Sequence, residues 1–211
     1  MGTKERRERE RAETRRKILD AAREMFVRHG YEATTMRGIA RRIEYTPTAI
    51  YHHFRNKEAL LSELVEMDFR ALAAAFQQIG KVEDPWERLE KIGDAYVRFA
   101  LEHPMHYQFM FMTPRPPVNG PGYGGPLDDA SENAYLFLRE ACADAIARGR
   151  LRPEYEDPDE LAQMLWAGMH GIVSLPVVKG HETWIQWRDI RRTAARMREA
   201  MRRGIGAAPG S

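Results

Sequence analysis

The chain has 211 residues, room for one large or two small domains, and its 43% hydrophobic and 30% charged residues exclude a wholly disordered chain. One cysteine, Cys142, excludes an intramolecular disulfide and a cysteine-pair metal site and fits a reducing cytoplasm, while the charged N-terminus and the lack of an apolar run near ~20 residues argue against a secretory leader or a membrane span. Charge is uneven: residues 1–60 hold 15 Lys/Arg against 9 Asp/Glu, and the remainder holds 18 against 22, so a basic leading piece joins an acidic body.

Residues 1–13, MGTKERRERERAE, mix Arg and Glu with almost nothing apolar. They are expected as a charged flexible arm that either continues the first helix or trails along phosphates. From Thr14 to His29, Ile18, Ala22, Met25, Phe26 and His29 recur at helical spacing, and Gly30 stops the helix before Tyr31 folds back. Thr34 to Lys57 reads as two short helices and a tight turn. The first runs from Met36 to Ile43 behind a Thr35 cap, with Ile39, Ala40 and Ile43 inward. The second starts at Pro47 behind Thr46, with Ile50, Tyr51 and Phe54 on one side. This is a helix-turn-helix pattern, whose second helix enters the DNA major groove. Asn56 caps a long helix running to Gly80, about 35 Å at 1.5 Å per residue, long enough to leave one domain and enter the next.

Beyond it only helices are predicted. Asp84-Pro85-Trp86-Glu87 and Asp157-Pro158-Asp159-Glu160 repeat one device: an acidic cap, proline at the first position, and an acid soon after. Pro104 restarts the chain after His103, and 113–127, with five Pro and four Gly, is a loop. Further helices are expected from Asp128 to Arg148, from Pro158 to Val178, and from the Thr183-x-x-Gln186 capping box to Arg203. The fold class is therefore all-α. It divides into the arm (1–13), a helix-turn-helix domain (14–60), a larger helical domain (61–204) and a disordered tail (205–211).

The order helix, Gly-Tyr, Thr-Thr-Met-Arg-x-Ile-Ala, turn, Thr-Pro-x-Ala-Ile-Tyr-x-His-Phe-x-Asn-Lys-x-x-Leu, from Arg15 to Leu64, resembles the DNA-binding domain of TetR-type transcriptional regulators. Two turn positions depart from that pattern: Glu44 stands where glycine is usual, and Tyr45 where a small aliphatic residue is. A non-glycine residue in a left-handed turn costs on the order of 1 kcal/mol. Later, LWAGMHGIVSLP resembles the Trp-x-Gly-x-His-Gly signature of one C-terminal subgroup of the family. Gly168 and Gly171 there fit a close helix-to-helix contact in a dimer.

The resemblance implies DNA contacts at Thr35, Arg37, Thr46, Pro47, Thr48, Ala49, Tyr51, His52, His53 and Lys57. Phosphate contacts position a protein and base contacts specify, so Thr35, Tyr51 and Lys57 are read as phosphate grips and Arg37, Thr48 and His52 as base readers. An effector pocket is expected from the density of aromatics and methionines at Tyr96, Phe99, Tyr107, Met110, Phe111, Phe137, Trp166, Met169 and His170, with Tyr96, Tyr107 and His170 as orienting groups. A dimer face is expected from Leu161, Leu165, Gly168, Ile172, Leu175, Trp184, Trp187, Ile190, Ala194 and Met197, opposite a solvated Arg-rich face of the last helix.

Pro104 interrupts the His103-x-x-His106 pair, and no phosphate-binding glycine loop, nucleophile elbow or His-Glu-x-x-His occurs, so no metal, cofactor or enzymatic activity is expected. The function that follows is a dimeric repressor, released from a palindromic double-stranded DNA operator by a hydrophobic small molecule, cytoplasmic and without membrane contact. The alternative is an all-α sequestration protein with a vestigial helix-turn-helix.

Overall fold

A computed structural model describes residues 3–116 and 133–207, and among them nine α-helices account for nearly all regular structure. They are α1 (Thr3–Ala33), α2 (Met36–Arg42), α3 (Pro47–Tyr51), α4 (Lys57–Gln77), α5 (Pro85–Glu102), α6 (Pro104–Phe111), α7 (Ala134–Ala147), α8 (Pro158–Lys179) and α9 (Ile190–Ile205). A 3-10 turn, Gln78–Lys81, follows α4. Two compact units emerge, Met1–Phe69 with His103–Pro126, and Arg70–Glu102 with Leu127–Ser211. The first unit extends past the expected boundary at residue 60 and also takes in α6.

Capping chemistry sets the helix starts. The Thr35 side chain accepts from Gly38 N–H, that of Thr46 from Ala49 N–H, and Asn56 Oδ1 from Ala59 N–H at 2.8 Å. Asp84 and Asp157 cap α5 and α8 in the same way. The helix before Gly30 stops as predicted: Gly30 has φ 80° and breaks the rod one turn before Ala33. The α2 end is a Schellman turn, with Tyr45 N–H bonded to Ala40 C=O and Glu44 N–H to Arg41 C=O. That turn puts Glu44 at φ 60°, the left-handed region expected from the sequence.

The first unit packs Ile18, Ala22 and Phe26 of α1, Ile39 and Ala40 of α2, Ile50 and Phe54 beside α3, Leu60, Leu61, Leu64 and Val65 of α4, and Phe109 of α6 into one core. Phe109 stacks on Phe26 with ring centroids 5.9 Å apart. Inside this core Asp68 is fully buried and accepts from Arg23 Nε at 2.9 Å and Nη2 at 2.8 Å. The same carboxylate takes a third bond from His106 Nδ1 at 2.9 Å, so one buried anion joins α1, α4 and α6. The second unit packs α5 against α7, α8 and α9.

Several expectations need correction. Of the two options for the charged arm, residues 3–13 take the first and continue the helix as the opening turns of α1, where i,i+4 pairs such as Arg6–Glu10 favour a helix. The Thr183-x-x-Gln186 box caps nothing. The last helix starts at Ile190, with the Asp189 carboxylate accepting from Arg192 N–H at 2.7 Å. Tyr51, placed on one side with Ile50 and Phe54, is 53% exposed while those two are buried. The tail is tied down through Ala207: Arg152 N–H bonds Ile205 C=O, and Ala207 N–H bonds Arg150 C=O. Residues 208–211, most of the Pro/Gly-rich 113–127 and the expected start of α7 lie outside the described residues. By length and composition α8 is apolar enough to span a membrane, contrary to the reading of the sequence, with a mean hydropathy of 1.4. It packs against α5, α7 and α9.

Candidate functional site

Two regions hold the residues singled out in the sequence. In the first unit, α2 and α3 present Thr35, Arg37, Thr46, Pro47, Thr48, Tyr51 and His52 as exposed side chains, with Ala49 and His53 half-buried. The threonines that cap these helices accept backbone N–H groups. A hydroxyl that accepts still has its own proton to donate, so each cap keeps a donor for a neighbouring anion. Arg37 has no ion pair among the described residues, leaving its guanidinium fork available for a base edge or a phosphate. His53 is kept below the usual histidine pKa by burial first, then by Arg11, Arg15 and His52.

Lys57 and Arg15 hold this surface in place. Lys57 Nζ donates to Tyr31 C=O at 2.9 Å and Thr34 C=O at 3.0 Å and lies 4.0 Å from the Tyr31 ring centroid. Two of its three donors therefore serve the chain itself, which leaves at most one for the expected phosphate. Arg15 donates to His53 C=O at 2.8 Å, pairs with Glu63, and sits 4.2 Å above the Phe54 ring. It fixes the exit of α3. Neither Arg15 nor the Arg23–Asp68–His106 cluster was found from the sequence. The available signal was charge on a core face, since Arg23 lies beside Ala22 and Phe26, and Asp68 follows Leu61, Leu64 and Val65 at helical spacing.

The expected effector residues are divided between the units. Tyr107, Met110 and Phe111 are on α6 in the first, and Tyr96, Phe99, Phe137, Trp166, Met169 and His170 are in the second. Tyr107, Met110, Tyr96, Phe99 and Met169 are buried, and Phe137 lies 5.9 Å from Phe76. A polar chain joins three of them. Trp166 Nε1 donates to the Tyr96 hydroxyl at 3.2 Å, and that hydroxyl is 2.9 Å from His170 Nδ1. The indole can only donate, so the Tyr96 oxygen accepts from it, and the direction of the Tyr96–His170 bond follows the histidine tautomer. Burial lowers the His170 pKa, which favours the neutral ring. A surface groove of about 290 Å³ lies in the first unit, between α1 and α2, lined by Glu24, Met25, Arg28, His29, Gly38, Arg41 and Arg42.

The expected dimer face is partly used within the chain. Leu161 and Ala194 are buried in the second unit, so they belong to its core rather than its surface. Gly168 lies against Met201 of α9, where a Cβ would come within 2.2 Å of the Met201 Cε, so the close helix approach is internal. Gly171 meets nothing within 4 Å. Leu165, Ile172 and Ile190 are half-buried and Met197 is 37% exposed. Trp187 donates to Lys179 C=O and Trp184 is 75% exposed, both ahead of α9. The uncovered stripe of α8 is Met164, Ala167, Gly171, Leu175 and Val178, which shares Leu175 with the expected face and is otherwise turned from it. The Arg-rich face of α9 is not merely solvated: Arg198 pairs with Asp94 at 2.5 Å and Arg202 with Glu90 at 3.2 Å, both on α5.

Residues 18–64 match the family profile for bacterial regulatory proteins of the tetR family, and residues 89–201 match the tetracyclin repressor-like C-terminal domain. The chain belongs to the TetR family. TetR-family proteins are transcriptional regulators rather than enzymes, as the sequence led one to expect. Among curated relatives, the HTH-type transcriptional repressor Rv1474c of Mycobacterium tuberculosis is 39% identical over 71 residues, 34% of this chain and 38% of that protein. The repressor AcnR of Corynebacterium glutamicum is 33% identical over 97 residues, 46% of this chain and 45% of the relative. The chain thus spans less than half the length of these curated TetR relatives. Its fold is shared with the fatty acid degradation regulator FadR of Bacillus halodurans at 17% identity and a TM-score of 0.71, over 90% of this chain and 95% of the other.

Proposed function

We propose that this TetR-family chain is a ligand-responsive, dimeric repressor in the cytoplasm that leaves a palindromic operator when a hydrophobic small molecule binds. The supporting observation is the exposed row Thr35, Arg37, Thr46, Thr48, Tyr51 and His52 on two short helices joined by the Glu44 turn. Hydroxyls and a phenol grip phosphates there, and Arg37, Thr48 and His52 meet base edges. Two copies read two half-sites about one helical turn, or a multiple, apart. The uncovered stripe of α8 with Met197 supports the pairing face, because exposed apolar area of this kind marks association surfaces.

The second unit supplies a neutral, hydrogen-bonding trio, Tyr96, Trp166 and His170, beside buried Phe99 and Met169. That make-up suits an uncharged, largely apolar effector oriented by one or two polar groups. Ligand affects operator affinity only through its preference between two states of the protein, so effector and DNA must weaken each other reciprocally. The test enriches a duplex from a random-sequence library on the full chain, then titrates it against a panel of uncharged hydrophobic compounds. A palindromic enriched sequence, released by a compound that also raises Tm, is expected. Enrichment of nothing would favour a small-molecule sequestration protein with a vestigial helix-turn-helix.

A further inference from the structure

Residues 4–17 precede the part of the chain that matches the family profile, which opens at Ile18. They nevertheless form about four helical turns continuous with α1. Residues 4–13 are all exposed, so the core does not explain them. At 100° per residue, Lys4, Arg7, Arg11 and Arg15 fall within an arc of about 80° that contains the direction of Ile18 and Ala22. No carboxylate lies inside that arc, and Glu8 flanks it. Glu5, Glu10 and Glu13 take other directions, among Arg6, Arg9 and Arg16.

Among residues 4–11, pairing follows the same division. On the mixed side Arg6 pairs with Glu10 at 3.4 Å, and Arg9 is also engaged. On the cationic side Lys4, Arg7 and Arg11 have no ion pair with a described residue. A helix needing only solubility gains most from interspersed i,i+4 pairs, and here the two signs are segregated instead.

The arc has a fixed address. Arg15 is bonded to His53 C=O at 2.8 Å and packs over Phe54, immediately after α3. One turn earlier, Arg11 lies close enough to His53 to act on its ionisation. Arg7 and Lys4 continue outward from the same end of the reading helix. Lys4 to Arg15 spans about 16 Å at 1.5 Å per residue. That equals about five steps of a DNA strand at 3.4 Å each.

We propose that Lys4, Arg7 and Arg11 form a second DNA contact, a helical extension that grips backbone phosphates beside the base-reading surface. The proposal rests on the reading of the first unit as a DNA reader and adds to it a sequence-independent, salt-sensitive contact. Phosphate contacts carry no sequence information, so removing them weakens binding without changing the preferred bases.

The experiment uses full-length protein and the duplex that it enriches from a random-sequence library, with affinity measured from 50 to 200 mM salt. The variant K4A/R7A/R11A should flatten the slope of log affinity against log salt by about 2.7 per bound chain, at about 0.9 per lost phosphate contact. Its enriched sequence should be unchanged. The variant R6A/R9A/R16A loses the same charge from the other face and should keep the slope within about one unit. The charge-preserving K4R/R7K/R11K should retain the wild-type slope. If wild-type protein binds the duplex and K4A/R7A/R11A keeps its slope, the extension is not a contact and the proposal is overturned while the DNA-reading surface stands. An equal loss in both alanine variants overturns it as well, in favour of a diffuse charge effect. If wild-type protein enriches no duplex, the DNA reading fails and the proposal falls with it.

Discussion

In the first unit nearly every buried or capping polar group is committed to holding a backbone in place. Lys57 bonds two carbonyls, Arg15 a third, Thr35, Thr46 and Asn56 close helix starts, and Arg23 with His106 saturates Asp68. The second unit has its own caps and ion pairs, such as Asp189 and Arg198–Asp94, but there Tyr96, Trp166 and His170 are linked to one another and an apolar stripe of α8 is left uncovered. A surface that reads base edges needs side chains fixed to fractions of an ångström, and bonded anchors provide that. A surface that pairs with a second copy and adapts to a ligand needs apolar area and few fixed partners. The contrast predicts that damage to the first unit registers as lost stability, and damage to the second as lost association or ligand response.

The sharpest break is Asp68→Ala. It takes from Arg23, only 4% exposed at its side chain, its buried carboxylate partner and leaves it the largely exposed Asp20, at a cost of about 3 kcal/mol. Thermal denaturation should show a large fall in Tm, and R23M/D68L should recover most of it, because an apolar pair of similar volume replaces a buried ion pair at little cost. A fall equally large in the double variant would mean the cluster does more than satisfy its own charges.

Next, L175E/V178E places charge on the uncovered stripe of α8, where the side chains are 55% and 52% exposed. Association should weaken by about two orders of magnitude, since an unpaired charge in an apolar contact costs several kcal/mol. Sedimentation should show single chains with an unchanged melting profile. An unaltered sedimentation coefficient would move the pairing face elsewhere.

A smaller effect is expected at the turn. Glu44→Gly removes the strain of a φ near 60° and should raise stability by about 1 kcal/mol. A loss instead would mean that the Glu44 side chain has a role in the turn.

The mildest concerns pH. Burial lowers the His170 pKa in the folded protein. The unfolded ring titrates near 6.5 and binds a proton first, so stability is highest above about pH 6.5 and declines as pH falls toward the folded value. His170→Gln should flatten the fall in denaturant-measured stability as pH drops below about 6.5.

Much of this was legible in the sequence because its causes are local. The caps Thr35, Thr46, Asn56 and Asp157, the stop at Gly30, the restart at Pro104 and the left-handed Glu44 each depend on a few neighbouring residues. The candidate DNA face was legible for the same reason, since its residues lie on two adjacent helices. What stayed hidden depends on neighbours in space. α8 is apolar on most of its circumference, so periodicity could not tell which stripe is covered by α5, α7 and α9, and the expected pairing face was misplaced onto Leu161 and Gly168. Ala194 on α9, fully buried, was misplaced in the same way. Asp189 took the cap expected of Thr183 because both are competent and only the packing of α9 decides. Arg23 and Asp68 lie 45 residues apart, and only the fold brings their charges together.

Base preference at Arg37 is the most direct measure of the reading surface. The full chain should enrich a palindromic sequence from a random library, and Arg37→Ala should relax the preference at one position of each half-site, at a cost of about 1–3 kcal/mol there. An unchanged sequence preference in the Arg37 variant would contradict the assignment of this surface as the reader.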